Sequence, residues 1–278
     1  MESCDVLVVG AGPAGLTAAI YLSRFRRRVV VLSAGPPRAS WIPESHNTPG
    51  FPHGVGGVEF LRRLTDQAVG FGVEIREVDV EALRTTEPGF EAVCGDGPIR
   101  ASAVLLATGV RDHLPDLPGL EAAILRSVVR LCPICDAYEA TGQRIAILGD
   151  GPLAKREADF LRTYSDDVTV IATCDSDLSF NEASVQWTPR GGLELRTFDH
   201  LYIALGCEPQ TDLAIACGSR CDDQGNLIVD AHQMTSVDGL YAAGDVVRGL
   251  NQIAVATGEA AIAATAIHNR LRQSAPER

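Results

Sequence analysis

The sequence predicts an α/β fold of two Rossmann-like domains, each a three-layer βαβ arrangement around a parallel sheet. A glycine-rich turn stands between an apolar run and an Ala/Leu-rich stretch within residues 5–32, and the pattern recurs within residues 144–172. The apolar runs lack polar breaks, as is typical of parallel strands buried on both faces. We expect a discontinuous first domain, residues 1–113 and 238–278, around an inserted second domain, residues 114–237.

The composition is that of a globular protein large enough for two domains, with 278 residues, 46% hydrophobic and 22% charged. The net charge of −12 disfavours a nucleic-acid surface or an anionic membrane surface. The N-terminus lacks the features of a signal peptide, and no apolar run reaches the length of a membrane span. We therefore expect a cytoplasmic protein in which the eight cysteines are mostly free and any disulfide is catalytic.

The first glycine-rich motif has the context that a dinucleotide-binding turn requires. A strand at 6–9 leads into GAGPAG, followed by a helix at 16–26 and a strand at 29–32. In such a motif the first glycine makes the turn, the second lets the backbone approach a pyrophosphate at the helix N-terminus, and the third lets helix and strand close up. The usual ribose acid is replaced by Ser33 and Ala34, so that contact must come from elsewhere. The candidate residues are Gly10, Gly12, Pro13, Ala14 and Gly15.

The remaining elements of the first domain follow from apolar runs and breaks. We expect a small β-rich excursion between residues 71 and 101 and a buried strand at 103–107. Proline and glycine at 113–119 mark the exit to the second domain, and residues 235–239 mark the return. The Ala-rich stretch 252–271 predicts a helix that packs on the first domain.

The CPICD stretch contains the most reactive combination of residues in the chain, Cys132, Cys135 and Asp136. Its spacing alone is compatible with half of a zinc site, a pair of buried thiols or a redox-active disulfide. Zinc is disfavoured because structural zinc sites need four ligands and the other cysteines supply no second CxxC, so we expect no metal. Asp136 is either an acid and base for a leaving thiolate or the N-cap of a helix through residues 137–139.

A second glycine-rich motif, GDGPLA, lies between a strand at 144–148 and a helix at 153–164, with another strand at 168–172. Asp175 follows Ala154 by 21 positions, about the spacing of a carboxylate that binds a free ribose, although a solvated loop acid fits as well. The candidate residues of this second nucleotide site are Gly149, Gly151, Pro152, Leu153, Ala154 and Asp175.

Further segments make a family resemblance specific. An ATG segment closes the strand at 103–107, residues 240–245 read LYAAGD, and NTPGFP begins at Asn47. With the CxxCD stretch, these segments resemble two-domain flavoproteins of the thioredoxin reductase family. The resemblance implies FAD in the first domain, with Asp245 at the ribityl or phosphate region; the alternative for Asp245 is a helix N-cap. The implied FAD contacts beyond the first motif are Asn47, Thr108, Gly109, Gly244, Asp245, Gln252, Ile253 and Ala254.

The electron donor is where the chain departs from the family. Thioredoxin reductases bind NADPH in the second domain, and a basic segment after its second strand takes the 2′-phosphate. Here residues 173–177 contain acids and no base, and acids repel a phosphate. The segment from 173 to 200 is also short for the family, and Trp187 within it either stacks on an added ring or packs in the core. NADPH is therefore doubtful, and a second FAD, NAD(H) or a donor protein such as ferredoxin is expected, as in ferredoxin-linked and diflavin-linked relatives.

The resemblance implies a flavoprotein oxidoreductase in which a redox-active disulfide passes electrons to a thioredoxin-like protein or a small disulfide. Cys135 would face the flavin, Cys132 would attack the partner, and Asp136 would protonate the leaving thiolate. Two alternatives are a dithiol oxidase that uses oxygen and a non-catalytic flavin or redox sensor. A homodimer is implied by the family alone.

Overall fold

The computed structural model of the protein describes residues 2–175, 177–192 and 194–273. Its strands are β1 (Glu2–Val9), β2 (Val29–Leu32), β3 (Glu74–Arg76), β4 (Val80–Thr85), β5 (Phe90–Cys94), β6 (Ile99–Leu106), β7 (Val110–Asp112), β8 (Val129–Arg130), β9 (Ile145–Leu148), β10 (Val168–Ile171), β11 (Leu178–Phe180), β12 (Val185–Trp187), β13 (Arg196–Phe198), β14 (His200–Ile203), β15 (Cys207–Pro209) and β16 (Leu240–Ala242). Its helices are α1 (Pro13–Arg24), α2 (Gly57–Gly70), α3 (Leu120–Leu125), α4 (Pro133–Asp136), α5 (Gly151–Leu161), α6 (Asp212–Ala216) and α7 (Ile253–Gln273).

The chain divides into two compact units. Unit 1 comprises Met1–Ser40, Val58–Arg111 and Glu208–Arg278, and unit 2 comprises Trp41–Gly57 and Asp112–Cys207. Each has its own parallel sheet and its own buried apolar cluster, which confirms the predicted class of two Rossmann-like α/β domains.

Unit 1 is built on a seven-stranded sheet with the order β3-β2-β1-β6-β5-β4, and β16 also pairs with β6. Strands β3, β2, β1, β6 and β16 run parallel, whereas β4 and β5 add antiparallel pairs at the start of β6. These antiparallel strands are the predicted β-rich excursion. Helices α1 and α7 pack against each other, as expected for the Ala-rich C-terminal stretch.

Unit 2 contains a four-stranded parallel sheet with the order β10-β9-β14-β8 and a separate antiparallel sheet, β11-β12-β13. The three strands of the small sheet have three residues each, so the segment predicted to be short still forms a sheet. Trp187 is 8% exposed and packs beside Phe198 in the core cluster of the unit. This burial explains Trp187 as core packing, and stacking on an added ring is not needed.

The units differ from the predicted domains in two segments. Residues 208–237, which we expected in the second domain, belong to unit 1 because Ala214 and Leu227 bury their side chains in the same cluster as Leu240 and Val246. Residues 41–57 belong to unit 2, where they form a closed loop with a bridge between Ser45 and Val55. Hydropathy alone does not say on which core a loop packs.

None of the described helices combines the length and the apolar character that crossing a membrane requires.

Candidate functional site

The two cysteines of the CPICD stretch form a disulfide. The sulfur atoms of Cys132 and Cys135 are 2.09 Å apart and the Cα atoms 5.3 Å apart. Cys132 is the N-cap of α4, a single turn with Pro133 at its first position, where the missing N–H of proline costs no hydrogen bond. Ile134, between the cysteines, is 56% exposed, whereas Cys132 and Cys135 are half-buried.

Asp136 closes this turn and is held by two side chains from the parallel sheet. The Tyr202 hydroxyl donates to Oδ1 at 2.9 Å, and Nη1 of Arg130 lies 3.3 Å from Oδ2. Burial raises the pKa of Asp136 to about 6, against the opposing effects of Arg130 and Tyr202. The helix expected through residues 137–139 is a 3-10 turn at Tyr138–Ala140 whose N-cap is Ala137, so the alternative of Asp136 as its N-cap is wrong. A carboxyl that titrates near neutrality next to a disulfide suits proton transfer to a thiolate.

In the first glycine-rich motif, β1 turns directly into α1. A Cβ on Gly10 would lie 2.2 Å from the carbonyl oxygen of Ala107, and one on Gly15 would lie 1.8 Å from that of Gly10. A Cβ on Gly12, in contrast, would have Pro37 as its nearest neighbour at 3.9 Å. Gly10 and Gly15 therefore allow close packing within the protein, whereas Gly12 leaves open space beside the helix N-terminus.

That open space fits the pyrophosphate of a dinucleotide. Gly12 is the N-cap of α1 and provides no side-chain cap, and Pro13 and Ala14 form the first turn. The N–H groups of a first helical turn lack intrahelical acceptors, and the helix dipole favours an anion there. FAD carries such a pyrophosphate, so Gly12, Pro13 and Ala14 are suited to hold it.

The late AAGD segment meets the first motif in unit 1. A Cβ on Gly244 would lie 3.0 Å from the Cβ of Ala14. The N–H of Gly244 donates to Oε2 of Glu259 at 2.9 Å, and Glu259 is only 5% exposed. Asp245 lies 3.7 Å from Arg38. Because α7 begins at residue 253, Asp245 is not its N-cap.

The other predicted FAD contacts lie at chain turns. In unit 1, the Thr108 hydroxyl donates to the carbonyl oxygen of Gln210 at 2.6 Å, Gly109 has a φ of 70°, and residues 252–254 form the entry into α7. Asn47 instead lies in unit 2, where its amide is 3.4 Å from the carbonyl oxygen of Ile134. The structure thus brings Asn47 next to the CxxC turn.

The second glycine-rich motif forms the expected turn between β9 and α5. A Cβ on Gly149 would lie 2.6 Å from the carbonyl oxygen of Ala204, and Gly151 has a φ of 71°. Pro152, Leu153 and Ala154 form the first turn of α5, with Ala154 buried. The carboxylate of Asp150, the N-cap, accepts hydrogen bonds from the backbone N–H and the hydroxyl of Thr173. The Asp150 carboxylate therefore links the glycine-rich turn to Thr173, just after β10.

Asp175, the predicted ribose ligand, lies in a short 3-10 helix from Thr173 to Asp175 that follows β10. Its side chain lies outside the residues that the structure describes. The ribose role of Asp175 stays a prediction.

Glu157 is a half-buried acid of α5 that sequence reasoning missed. Its Oε2 atom is buried with no hydrogen-bond partner, and burial raises the pKa of its carboxyl to about 7. In the sequence it looks like one of several charged residues on an amphipathic helix. Arg130, Tyr202 and Glu259 were missed as well. For Glu259 the signal available was a lone acid in an Ala-rich helix, whereas Arg130 and Tyr202 lie in apolar strands that gave no functional signal.

Comparisons with known proteins agree with this geometry. The family profile described as pyridine nucleotide-disulphide oxidoreductase matches residues 4–188 and 181–260. The thioredoxin reductase of Treponema pallidum (strain Nichols) is 30% identical over 295 residues, covering 94% of this chain and 95% of the relative. The bifunctional thioredoxin reductase/thioredoxin of Mycobacterium leprae (strain TN) is 31% identical over 295 residues, covering 94% of this chain and 64% of the relative.

The fold comparison extends over nearly the whole chain. The crystal structure of thioredoxin reductase from Streptococcus pyogenes MGAS5005 matches with a TM-score of 0.89 at 25% identity, covering 98% of this chain and 99% of that one. The family profile, the relatives and the disulfide agree with one another. The chain therefore belongs to the pyridine nucleotide-disulphide oxidoreductase family and is a flavin-dependent disulfide oxidoreductase similar to thioredoxin reductases.

Proposed function

We propose that the protein passes electrons from FAD through the Cys132–Cys135 disulfide to a thioredoxin-like protein or a small disulfide, with a donor other than NADPH. The observation that carries the electron outlet is the Cys132–Cys135 disulfide turn, in which Ile134 is 56% exposed and Arg130 and Tyr202 hold the Asp136 carboxyl. Bound FAD supplies the two electrons that reduce the disulfide. The thioredoxin-like partner is supported by the names of the relatives, one of which joins a thioredoxin to the reductase.

The donor proposal rests on Asp150. Its carboxylate lies at the end of β10 and accepts from Thr173, which is where the family resemblance expects the adenosine ribose. The 2′-phosphate distinguishes NADPH from NADH, and a like charge nearby repels it. Residues 173–177 contain no base that would compensate. NADH, a second flavin or a ferredoxin-like protein avoids this repulsion.

An anaerobic titration of the FAD-loaded protein tests the donor. The flavin absorbance is followed while NADPH or NADH is added at micromolar concentration, and the FAD released on denaturation is counted per chain. We expect NADPH to leave the flavin oxidised. Rapid bleaching by micromolar NADPH would contradict the proposal, and one FAD per chain would exclude the second flavin as the donor.

The Asp150→Asn variant sharpens this test. Asparagine removes the charge and still accepts hydrogen bonds, so any gain in reduction should be larger for NADPH than for NADH. Asp166→Asn, an exposed acid before β10, is the matched control. Equal gains with the two nucleotides would show that charge at the 2′-position is not the cause.

Activity measurements also distinguish the two alternative functions. Oxygen consumption driven by dithiols would favour the dithiol oxidase, and absence of turnover with every donor and disulfide would favour a sensor.

The homodimer and the cytoplasmic location stay predictions. Sedimentation checks the first, with twice the chain mass of 29.5 kDa expected, and cell fractionation checks the second.

A further inference from the structure

The side chains that hold Asp136 are placed by the parallel sheet of unit 2. Arg130 on β8 and Tyr202 on β14 are register partners on neighbouring strands, so their side chains emerge side by side. Arg130 is 9% exposed and Tyr202 fully buried. Each carboxyl oxygen of Asp136 has its own partner, Tyr202 for Oδ1 and Arg130 for Oδ2. Arg130 also donates to the backbone carbonyl of Asp136 at 2.9 Å, which ties the end of the disulfide turn to the sheet.

Arg130 is in turn fixed by His200. His200 lies two residues before Tyr202 on β14 and therefore on the same face of the sheet. Its Nε2 is 3.4 Å from Nη2 of Arg130, and its Nδ1 is 3.1 Å from the carbonyl oxygen of Ser127. Burial, with a contribution from Arg130, lowers the pKa of His200 to about 4. Nδ1 also lies 3.3 Å from Nε of Arg130, so a neutral imidazole either donates from Nδ1 to Ser127 or accepts there from Arg130.

Opposing effects set the protonation of Asp136. Burial favours the neutral carboxyl, and the nearby Glu139 adds to that effect. The charge of Arg130 and the hydrogen bond from Tyr202 favour the carboxylate. The carboxyl in turn raises the pKa of Tyr202, after burial, so the phenol stays protonated and donates. The other titratable or charged groups on the turn and on α5, which packs against it, are Cys132, Cys135, Lys155, Arg156, Glu157 and Asp159.

We propose that Arg130 and Tyr202 are positioning residues that orient the Asp136 carboxyl and keep it able to ionise during thiol–disulfide exchange. The inference rests on the acid–base role of Asp136 in the proposed function. It predicts that losing either partner makes the carboxyl harder to ionise. The function of the cysteines themselves does not depend on it.

The proposed step is the reduction of a substrate disulfide by the dithiol form of Cys132 and Cys135. Asp136 accepts the proton of the Cys132 thiol, and the thiolate attacks a substrate disulfide RS–SR. A Cys132–SR bond forms, RS⁻ leaves, and Asp136 returns the proton to it. The Cys135 thiolate then displaces the second RS⁻ from Cys132, restoring the disulfide while the Cys135 proton goes to that thiolate. The enzyme dithiol is oxidised by two electrons, and RSSR is reduced to two RSH.

The test is a donor-independent half-reaction. The FAD-loaded protein is reduced with dithiothreitol, freed of the reagent under nitrogen and mixed with 5,5′-dithiobis(2-nitrobenzoic acid) between pH 5 and pH 8. The rapid phase of aryl thiolate release gives the exchange rate. A double variant, Cys132→Ser with Cys135→Ser, carries the six other cysteines and is subtracted.

We expect the pH midpoint of the exchange rate to rise by about one unit in Tyr202→Phe, because a hydrogen bond to a charged group is lost. Arg130→Met should raise the midpoint further, and Arg130→Lys should return it towards the wild-type value because the charge is restored. Tyr164→Phe, which removes a hydroxyl elsewhere in unit 2, is the matched control and should leave the profile unchanged. Flavin content and circular dichroism report folding in each variant.

The outcomes separate this inference from the function on which it rests. If Asp136→Asn has the wild-type profile, the acid–base role of Asp136 is wrong. If Asp136→Asn alters the profile but folded Tyr202→Phe and Arg130→Met keep the wild-type midpoint, the positioning role is overturned and the acid–base role stands. A rate loss without a midpoint shift in Tyr202→Phe also contradicts the proposal, because a purely structural role produces that result.

Discussion

At the residue scale, the proposed chemistry depends on the positions of the Cys132 and Cys135 sulfurs and on the neighbouring carboxyl of Asp136. Cys132 caps a one-turn helix and Cys135 lies within it, so the two sulfurs have different surroundings although they are three residues apart. The family resemblance implies that Cys132 is the attacking nucleophile. The family resemblance assigns the flavin-facing role to Cys135.

Cys135→Ser should therefore retain FAD and lose disulfide turnover. The serine removes one sulfur of the ring without touching the first glycine-rich motif, so the flavin spectrum should be unchanged. Steady-state turnover of a small disulfide with chemically reduced flavin is the measurement. Turnover at the wild-type rate in this variant would falsify the assigned mechanism.

Glu157 provides a stability prediction with a defined sign. Its folded-state pKa is raised from 4.5 to about 7 by burial, so the folded state binds a proton more tightly than the unfolded chain. Ionisation of Glu157 therefore lowers stability as the pH rises from about 4.5 to 7. Glu157→Gln should be more stable than the wild type at pH 8 by about 1–3 kcal/mol, and the difference should vanish below pH 4.5.

Urea unfolding at pH 4.5 and pH 8 measures this difference. Glu121→Gln, at an exposed position on α3, is the control and should show no such pH dependence. An equal stability change for Glu157→Gln at both pH values would mean that the amide packs differently and that ionisation is not involved.

At the scale of elements, the glycines of the first motif in unit 1 differ in role. Gly10 and Gly15 allow close packing of backbone segments, whereas Gly12 leaves space for a bound group. Gly15→Ala should destabilise the protein by about 3 kcal/mol, because the new methyl would overlap the Gly10 carbonyl at 1.8 Å and force α1 away from β1. Gly12→Ala should fold normally, because its φ of −77° suits alanine and the nearest atom is 3.9 Å away. It should nevertheless lose FAD, since the methyl enters the space of the pyrophosphate.

Thermal unfolding and the flavin content of the purified variants distinguish these two effects. The prediction fails if Gly12→Ala keeps its flavin or if Gly15→Ala is as stable as the wild type. The same packing logic applies to Gly149 in unit 2, where a Cβ would lie 2.6 Å from Ala204.

Several strands of both units follow directly from the sequence because they are short apolar runs. Strands β2, β9 and β10 begin and end within one residue of the predicted limits, and the glycine turns fall where the motif requires. The one-turn helix α4 was less predictable. Four residues with Pro133 at the first position carry no periodic pattern, and the turn depends on contacts of Asp136 with β8 and β14.

At the scale of the whole molecule, each unit has its own core. We therefore expect FAD binding to slow hydrogen exchange more in one unit than in the other. Ligand binding stabilises the state that contains the site, by about 2.7 kcal/mol at a hundredfold excess over Kd. Hydrogen exchange with and without FAD should therefore show protection around residues 10–24, 104–110 and 240–254. The sheet of unit 2 should change little.

The same experiment tests the flavin role of Asn47. Unit 2 contains the loop 41–57, yet the family resemblance places Asn47 beside the flavin ring. Protection of residues 45–48 on FAD binding is expected. Unchanged exchange there, alongside protection of the first motif, would restrict Asn47 to its contact with the CxxC turn.

The sequence by itself determined the two βαβ units, their glycine turns and the CxxCD stretch, because each is a local pattern that needs neighbouring residues alone. The tertiary structure decided which core receives residues 41–57 and 208–237, and that Trp187 is buried. It also decided that Arg130 and Tyr202, 72 positions apart, share one carboxyl. Such pairs depend on strand order and register, and a parallel sheet brings together strands that are distant in sequence.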